Sequence, residues 1–387
     1  MMRTHFGIAW LAWLAVPCCL ACAACSDSAG AKNTTSDGGP LGNGDGGLSG
    51  DAGIDRSLFS TGTELRIPVP ESGSVFVHLD PPSVVQVAGD PKASADWDLA
   101  FEGFDIHTNS GPSGSNKGGS FGPLDAPSYN ATPAPAIPFM FADTTGGAFV
   151  KWYAYDSETH VLYSRYHVIG VQDGSRRWKV QVENYYGERD GAPVSALYKI
   201  RYAELFADHA GDAVEVTNLD GTAGGTGADP TKPSECLDFG SGARTLLTPD
   251  AARSSSAWHV CFRRDAIGVN GELGGPRGIG GIDFDDAKTA NETLAQVKAR
   301  TADSEKAPFD AITYASFDGK TLRGDRIVSA FGDAWIDTKA SPLTPAYSAW
   351  VLADASGTKK YFIGFTGFED PTAKSPGTVV ARIKPFK

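Results

Sequence analysis

The chain has 387 residues, enough for one large domain or two ordinary ones. Its 34 Lys and Arg residues against 46 Asp and Glu give a net charge of −12, which argues against the basic face that nucleic-acid binding requires. Hydrophobic residues make up 41% of the chain, so the folded part can bury a core, and 46 Gly with 24 Pro favour strands joined by turns over long helices.

Residues 1–24 have the pattern of a secretory signal peptide: Arg3, an apolar run, then small residues before a cleavage site. The run is too short and too soon followed by polar residues to span a membrane. The end of this segment, Cys-Ala-Ala-Cys25, resembles a bacterial lipobox, which predicts acylation of Cys25. Because Cys22 stands where leucine is usual, Cys22 is a second candidate and ordinary cleavage is an alternative. Ser26, rather than Asp, after Cys25 predicts sorting to the outer membrane.

The composition of residues 25–56 predicts a flexible tether. Nine glycines lie between Ser26 and Asp55 among Ser, Asp, Asn and Thr, with almost nothing to bury. We therefore expect the folded chain to begin at residue 57.

Beyond the tether the chain repeats itself. Trp97-Asp-Leu-Ala-Phe101 matches Trp258-His-Val-Cys-Phe262 at an offset of 161 residues. Further along, the segment that starts at Trp152 matches the segment that starts at Trp335 at an offset of 183 residues. The difference of 22 residues marks an insertion in the second half.

The repeated segments have the pattern of strands. Large apolar residues alternate with polar ones from Trp97 to Phe101, and Asp173-Gly174 is a hairpin turn signal. The insertion holds the one convincing helical pattern, Asp286 to Arg300, with Asp285 or Asp286 as its cap. The sequence thus predicts an all-β protein of two related antiparallel domains, 57–210 and 211–387, with one short helix in the second. The alternative is one continuous core shared by both halves.

Cys236 and Cys261 are the two cysteines of the predicted folded part. An even pair in an exported protein most simply forms one disulfide. No further ligand at short metal spacing accompanies either residue, so a structural bridge is favoured over a metal site.

Several motifs of the first half resemble the HmuY haem-binding lipoprotein family. They are Ala-Asp-Trp-Asp-Leu-Ala-Phe at 95–101, Asn109-Ser-Gly, Trp152-Tyr-Ala-Tyr-Asp, Thr159-His160, and Gly174-x-x-x-Trp-Lys-Val-Gln-Val-Glu-Asn-Tyr-Tyr186. The resemblance covers about 58–205, and the second half more faintly through the repeat. It implies an all-β fold, a lipid anchor in the outer membrane, and capture of haem or haem from haemoproteins for a TonB-dependent receptor.

Two residues are candidate axial ligands of haem iron under this resemblance. His160 lies in the polar loop after Trp152, where family members often carry histidine; the alternative is a solvated loop histidine. Met140, between two phenylalanines, is the second candidate, although core packing is its commoner role. His107 and His167 lie within strand patterns and are interpreted as structural. In the second half Leu343 replaces His160, which argues against a second site.

No catalytic constellation is present in the sequence. Gly118 to Gly122 matches the letters of a nucleophile elbow but lacks its strand–helix context, and Gly319-Lys-Thr321 lacks the first glycine of a Walker loop. Asp283, Asp285 and Asp286 match a calcium site less well than a helix start. We therefore expect a non-catalytic surface lipoprotein that binds haem, or alternatively a protein-interaction module of the same fold.

Overall fold

The computed structural model describes residues 56–224 and 231–387, which belong to one compact unit. The predicted signal peptide, the candidate acylation sites and nearly all of the tether lie outside the described residues. Strands account for 43% of the structure and helices for 11%, so the predicted all-β fold is confirmed. Among the described residues no helix is long and apolar enough to cross a membrane.

The strands and helices follow one another in three stretches of chain. The first stretch holds β1 (Thr63–Pro68), β2 (Val75–Leu79), β3 (Pro82–Val85), β4 (Leu99–Glu102), β5 (Asp105–Thr108) and β6 (Gly119–Asp125). The second holds β7 (Thr144–Gly146), β8 (Tyr153–Asp156), β9 (Val161–Ser164), β10 (Val168–Asp173), β11 (Arg176–Arg189), β12 (Ala192–Leu205), β13 (Val214–Asp220), β14 (Ser234–Leu237), β15 (Arg244–Leu247), α1 (Pro249–Ser254), β16 (Val260–Arg263), β17 (Ala266–Val269), β18 (Gly280–Asp283), α2 (Leu294–Lys298) and α3 (Lys306–Ala311). The third holds β19 (Arg326–Val328), β20 (Ile336–Asp337), β21 (Thr344–Pro345), β22 (Ser348–Ala353), β23 (Lys360–Glu369) and β24 (Thr378–Pro385).

Corresponding strands of the repeat build two sheets of the same order. One five-stranded sheet runs β1-β24-β23-β22-β6 and the other β13-β12-β11-β10-β18. Each is accompanied by a four-stranded sheet, β3-β2-β4-β5 in the first case and β15-β14-β16-β17 in the second. We call the first pair of sheets, built from residues 56–143 and 326–387, the outer module. The second pair, built from residues 144–325, is the inner module.

The strand pairing does not follow the predicted boundary between 57–210 and 211–387. Each module instead takes one part from each half of the repeat. Trp152 Nε1 donates to the carbonyl of Asp265 at 2.8 Å, and its counterpart Trp335 donates to the carbonyl of Phe104 at 3.1 Å. Two apolar cores accordingly form: Leu99, Phe101 and Ile106 pack with Trp350 and Ile363 in the outer module, and Val260, Phe262 and Ile267 pack with Trp178 and Val180 in the inner one.

A two-stranded ribbon, β7 with β19, lies where the chain passes between the modules. Thr145 pairs with Ile327 and Thr144 pairs with Val328. Under the repeat offset of 183 residues, Thr144 corresponds to Ile327 and Thr145 to Val328. The repeat therefore converts each residue pair of the ribbon into the other pair. This symmetry is expected where each of two similar modules contains strands from both halves of the repeat.

The repeated Trp and Asn motifs have a structural role. Asn109 Nδ2 donates to the carbonyls of Ser94 and Trp97, and Asn270 forms the two equivalent bonds one repeat later. A buried amide with satisfied donors fixes the loop that enters each strand pair. The motif that carries the family resemblance thus describes a fold element.

Cys236 and Cys261 lie opposite each other in the paired strands β14 and β16 and form a disulfide, as predicted. The bridge belongs to the inner module, since the corresponding strands of the outer module carry no cysteine.

The predicted helix from Asp286 to Arg300 is wrong in extent. The structure has a 3₁₀ turn, Asp286–Lys288, and then the short helix α2, Leu294–Lys298. Thr293 starts α2, because its side chain accepts a bond from the backbone N–H of Gln296 in a capping box. Because Thr293 caps a new helix at this point, the helical pattern from Asp286 to Arg300 does not form one continuous helix.

Residues 286–317, the segment that contains the 22-residue insertion, lie across the inner five-stranded sheet, and we call this segment the strap. Lys179 Nζ donates to the carbonyls of Asp310 and Ile312, and both Lys179 and Arg201 lie over the ring of Phe309. These contacts hold the strap against the sheet.

Candidate functional site

His160 lies at the tip of the β8–β9 hairpin, next to the strap. The turn forms because Asp156 accepts bonds from the backbone N–H of Glu158 and from the hydroxyl of Thr159, at 3.0 and 2.6 Å. His160 has a φ of 58°, in the left-handed region, and its side chain is exposed. Its Nδ1 atom lies 2.6 Å from the hydroxyl of Tyr155.

The strap clamps this hairpin. Lys298 Nζ lies 2.5 Å from Asp156 Oδ2, and the same ammonium lies over the ring of Tyr163. The hydrogen bond from Lys298 holds the pKa of Asp156 well below its usual range. The hairpin is therefore oriented by the insertion that only the inner module has.

A groove of about 370 Å³ runs beside the hairpin, between β9, the strands β11 and β12, and the strap. Three tyrosines line it: Tyr163, Tyr166 and Tyr186. Three cations accompany them: Lys199, Lys298 and Arg300. Val161, the residue after His160, also lines the groove, whereas His160 itself is not among the lining residues.

The cations of the groove are held by carboxylates. Lys199 Nζ lies 2.9 Å from Glu183 and 3.2 Å from Glu215, and the hydrogen bond to Glu183 raises the pKa of the lysine. Arg300 lies 2.7 Å from Glu292. Side chains of this kind keep a fixed direction while part of their surface still faces the groove.

Met140 lies in the outer module, whereas His160 lies in the inner one. Met140 packs against an apolar cluster that includes Phe59, Tyr129 and Phe362. The two predicted axial ligands therefore lie in different modules. Sequence reasoning had no signal for this separation, because it depends on which halves of the repeat pair.

His107 and His167, which the strand patterns led us to interpret as structural, each lie beside an aspartate. His167 is buried, with Nδ1 2.7 Å from Asp283. His107 Nδ1 lies 3.5 Å from Asp143; burial opposes protonation of the histidine, but the nearby carboxylate of Asp143 raises its pKa overall.

The three aspartates considered for calcium are engaged with different partners. Asp283 contacts His167, Asp285 accepts a bond from the backbone N–H of Val168, and Asp286 pairs with Lys151. Within residues 56–224 and 231–387, no group of three or more His, Cys, Asp or Glu side chains is placed to hold a metal ion.

Ser120, in the segment that matched a nucleophile elbow, is fully buried in β6. A reacting serine must meet its substrate, so this position offers no exposed nucleophile.

The groove residues outside the hairpin were not predicted from the sequence. Lys199 belongs to a long strand, and Lys298 and Arg300 belong to the strap. The 22-residue difference between the two repeat offsets was the one signal that pointed to this region.

Comparison with known proteins adds no family to this description: no protein-family model and no curated protein sequence matches the chain.

Proposed function

We propose that this protein is an exported, lipid-anchored, non-catalytic protein of the outer membrane that binds haem or a related porphyrin. The proposal combines the sequence resemblance to the HmuY family with one structural observation. The hairpin that carries His160 borders a groove where tyrosine rings and cations meet. Pockets for small ligands typically combine apolar or aromatic walls with a few placed polar groups, and 300 Å³ or more is a usual size.

His160 is suited to hold iron through Nε2. Ligation through Nε2 leaves the proton on Nδ1, and the hydroxyl of Tyr155 lies in place to accept a hydrogen bond from that N–H. Metal-bound histidines generally have such a partner, which fixes the ring and its tautomer. Bound haem would supply an iron centre with open axial positions, and the residues of this chain hold and orient it.

The cations of the groove suit the two propionates of a porphyrin. Lys199 and Lys298 each keep more than a third of their side-chain surface exposed, at 36% and 37%, despite their carboxylate partners. Charge-assisted hydrogen bonds from such groups to a carboxylate are about twice as strong as neutral ones. The tyrosine faces would contact the ring edge.

In this proposal the ligand comes from free haem or from haemoproteins, and a TonB-dependent receptor receives it. Nucleic acid is not among the proposed ligands, because the chain has a net charge of −12. No reaction is assigned to it.

The test is a haemin titration of the purified protein, followed by Soret absorbance. We expect a saturable one-to-one change that His160→Ala removes or shifts. His209→Ala is the matched control, because His209 is also exposed and also hydrogen-bonded through Nδ1, to Asp208. Tyr155→Phe keeps the ring and removes the hydroxyl, and it should weaken haem affinity by about 10- to 100-fold.

A saturable signal that is unchanged in His160→Ala but lost in Met140→Leu would move the ligand to the outer module and contradict this site. The absence of any saturable change would refute haem binding. The protein-interaction module would then be the preferred function.

A further inference from the structure

The outer module has a group of aromatic rings that are not buried in its core. Phe139 and Phe141 are 54% and 48% exposed, and their ring centroids lie 4.8 Å apart. Phe121, half-buried in β6, lies 5.9 Å from Phe139. We call these three residues the aromatic patch. Contact with water is unfavourable for such a surface, so its exposure calls for a partner.

The chain around the patch carries no charge. From Ala126 to Ala142 there is no Asp, Glu, Lys or Arg. This stretch therefore contributes no ionised side chain of its own that an apolar medium would desolvate. Other exposed apolar residues differ in this respect: Phe206 stacks on His209, and Leu246 lies two residues from Arg244.

The patch lies beside the point where the described chain begins. Leu58 and Phe59 belong to the same cluster as Phe121 and Met140. Phe59 also contacts Tyr129, at 5.1 Å between ring centroids. The predicted tether that joins this point to Cys25 therefore starts on the side of the module that carries the patch.

We infer that the aromatic patch contacts the lipid surface in which Cys25 is anchored. The inference rests on the lipid anchor of the proposed function, but not on haem binding. Thirty residues of glycine-rich chain have a root-mean-square reach of about 30 Å, short enough to keep the module near the bilayer. A tether of this kind converts a weak second contact into an intramolecular one with an effective concentration on the order of millimolar. Phenylalanines on an apolar face suit the interfacial region of a bilayer.

The first experiment places a reporter in the patch. The acylated full-length protein is reconstituted in vesicles of phosphatidylethanolamine and phosphatidylglycerol, with or without brominated acyl chains. Phe139→Trp should show tryptophan quenching by the brominated lipid beyond that of the parent protein. Leu246→Trp is the matched control, because Leu246 is 61% exposed and lies in the inner module. Equal quenching of the two variants, or no added quenching in Phe139→Trp, would overturn the inference.

The second experiment separates the patch from the anchor. The Cys25→Ala protein that begins at residue 25, which carries neither the predicted signal peptide nor an acyl chain at that position, is mixed with excess vesicles of the same composition and floated. Adding Phe139→Ser and Phe141→Ser should lower the floated fraction about tenfold, as expected when two rings lose apolar contact. Unchanged flotation, or no flotation of the Cys25→Ala parent, would contradict a lipid contact.

Haemin titration of the same proteins keeps the two proposals apart. The double serine variant should bind haemin like its parent, because the groove lies in the other module. Failure of haem binding with intact flotation would refute the proposed ligand alone. Loss of haem binding in the double variant would assign the haem site to the patch and refute the groove as that site.

Discussion

Replacing Asp325 with asparagine is expected to change how folding stability depends on pH. Asp325 and Asp143 occupy matching places at the two ends of the crossover between modules. Asp143 accepts bonds from the backbone N–H and hydroxyl of Thr108, from the hydroxyl of Ser113 and from the backbone N–H of Ala330.

Asp325 has far fewer donors. Only 4% of it is exposed; its Oδ2 accepts a bond from the backbone N–H of Val269, and its Oδ1 has no hydrogen-bond partner among the described residues. The repeat explains the difference, because Val269 and Gly274 stand where the outer module has Thr108 and Ser113. Both hydroxyl donors are therefore missing.

The consequence is a carboxyl group that the fold prefers to keep neutral. Burial raises the pKa of Asp325 from 3.8 to about 7. Between these two values the unfolded chain is ionised while the native protein holds the proton, so stability falls as pH rises, by about 1.4 kcal/mol per unit. Above about pH 7 both states are ionised and the loss is complete. The shift of about three units corresponds to about 4 kcal/mol as an upper bound.

Asparagine keeps the acceptor for Val269 and cannot ionise. Urea unfolding of both proteins from pH 5 to pH 8 measures this. The free energy of unfolding of the variant minus that of the parent should rise by up to about 3 kcal/mol over this range, with most of the rise below pH 7. A stability difference that does not change with pH would refute the reasoning. The matched variant, Asp143→Asn, should lower stability, because an amide nitrogen cannot accept the bonds that the carboxylate oxygen accepts.

Two further predictions concern the scaffold. Replacing both Cys236 and Cys261 with serine should lower the free energy of unfolding by about 3 kcal/mol, since the bridge closes a loop of 25 residues. Unfolding by urea with and without reductant measures this change. Equal unfolding midpoints for parent and variant would contradict it. Trp335→Phe removes the hydrogen bond to the carbonyl of Phe104, which joins the two halves of the repeat in the outer module. This change should lower the free energy of unfolding by about 1–3 kcal/mol. A variant as stable as the parent would show that this hydrogen bond does not stabilise the pairing of the two halves.

Local patterns predicted the strands well. The segment from Trp97 to Phe101 enters β4, although all five of its residues are buried rather than every second one. The Asp173-Gly174 signal became the turn between β10 and β11, where Gly174 has a φ of 58°. Such features depend on neighbours in sequence, which the residues themselves report.

The sequence indicated the insertion, but it predicted a helix there that is too long. Apolar spacing alone suggested one helix over Asp286 to Arg300, whereas the capping box at Thr293 and the contacts of the strap with the sheet decided the real bounds. The groove depends on the same contacts, so Lys298 and Arg300 could not be assigned to it in advance.

The sequence by itself determined the all-β class, the duplication and the cysteine pair, because each is written in local alternation, self-similarity or composition. Only the tertiary structure decided which halves of the repeat pair. Corresponding strands have similar apolar patterns, so the local pattern fits either pairing equally well, and the choice lies in contacts between residues far apart in the chain. That choice placed His160 and Met140 in different modules, left Asp325 without its hydroxyl donors, and put the aromatic patch beside the start of the folded chain.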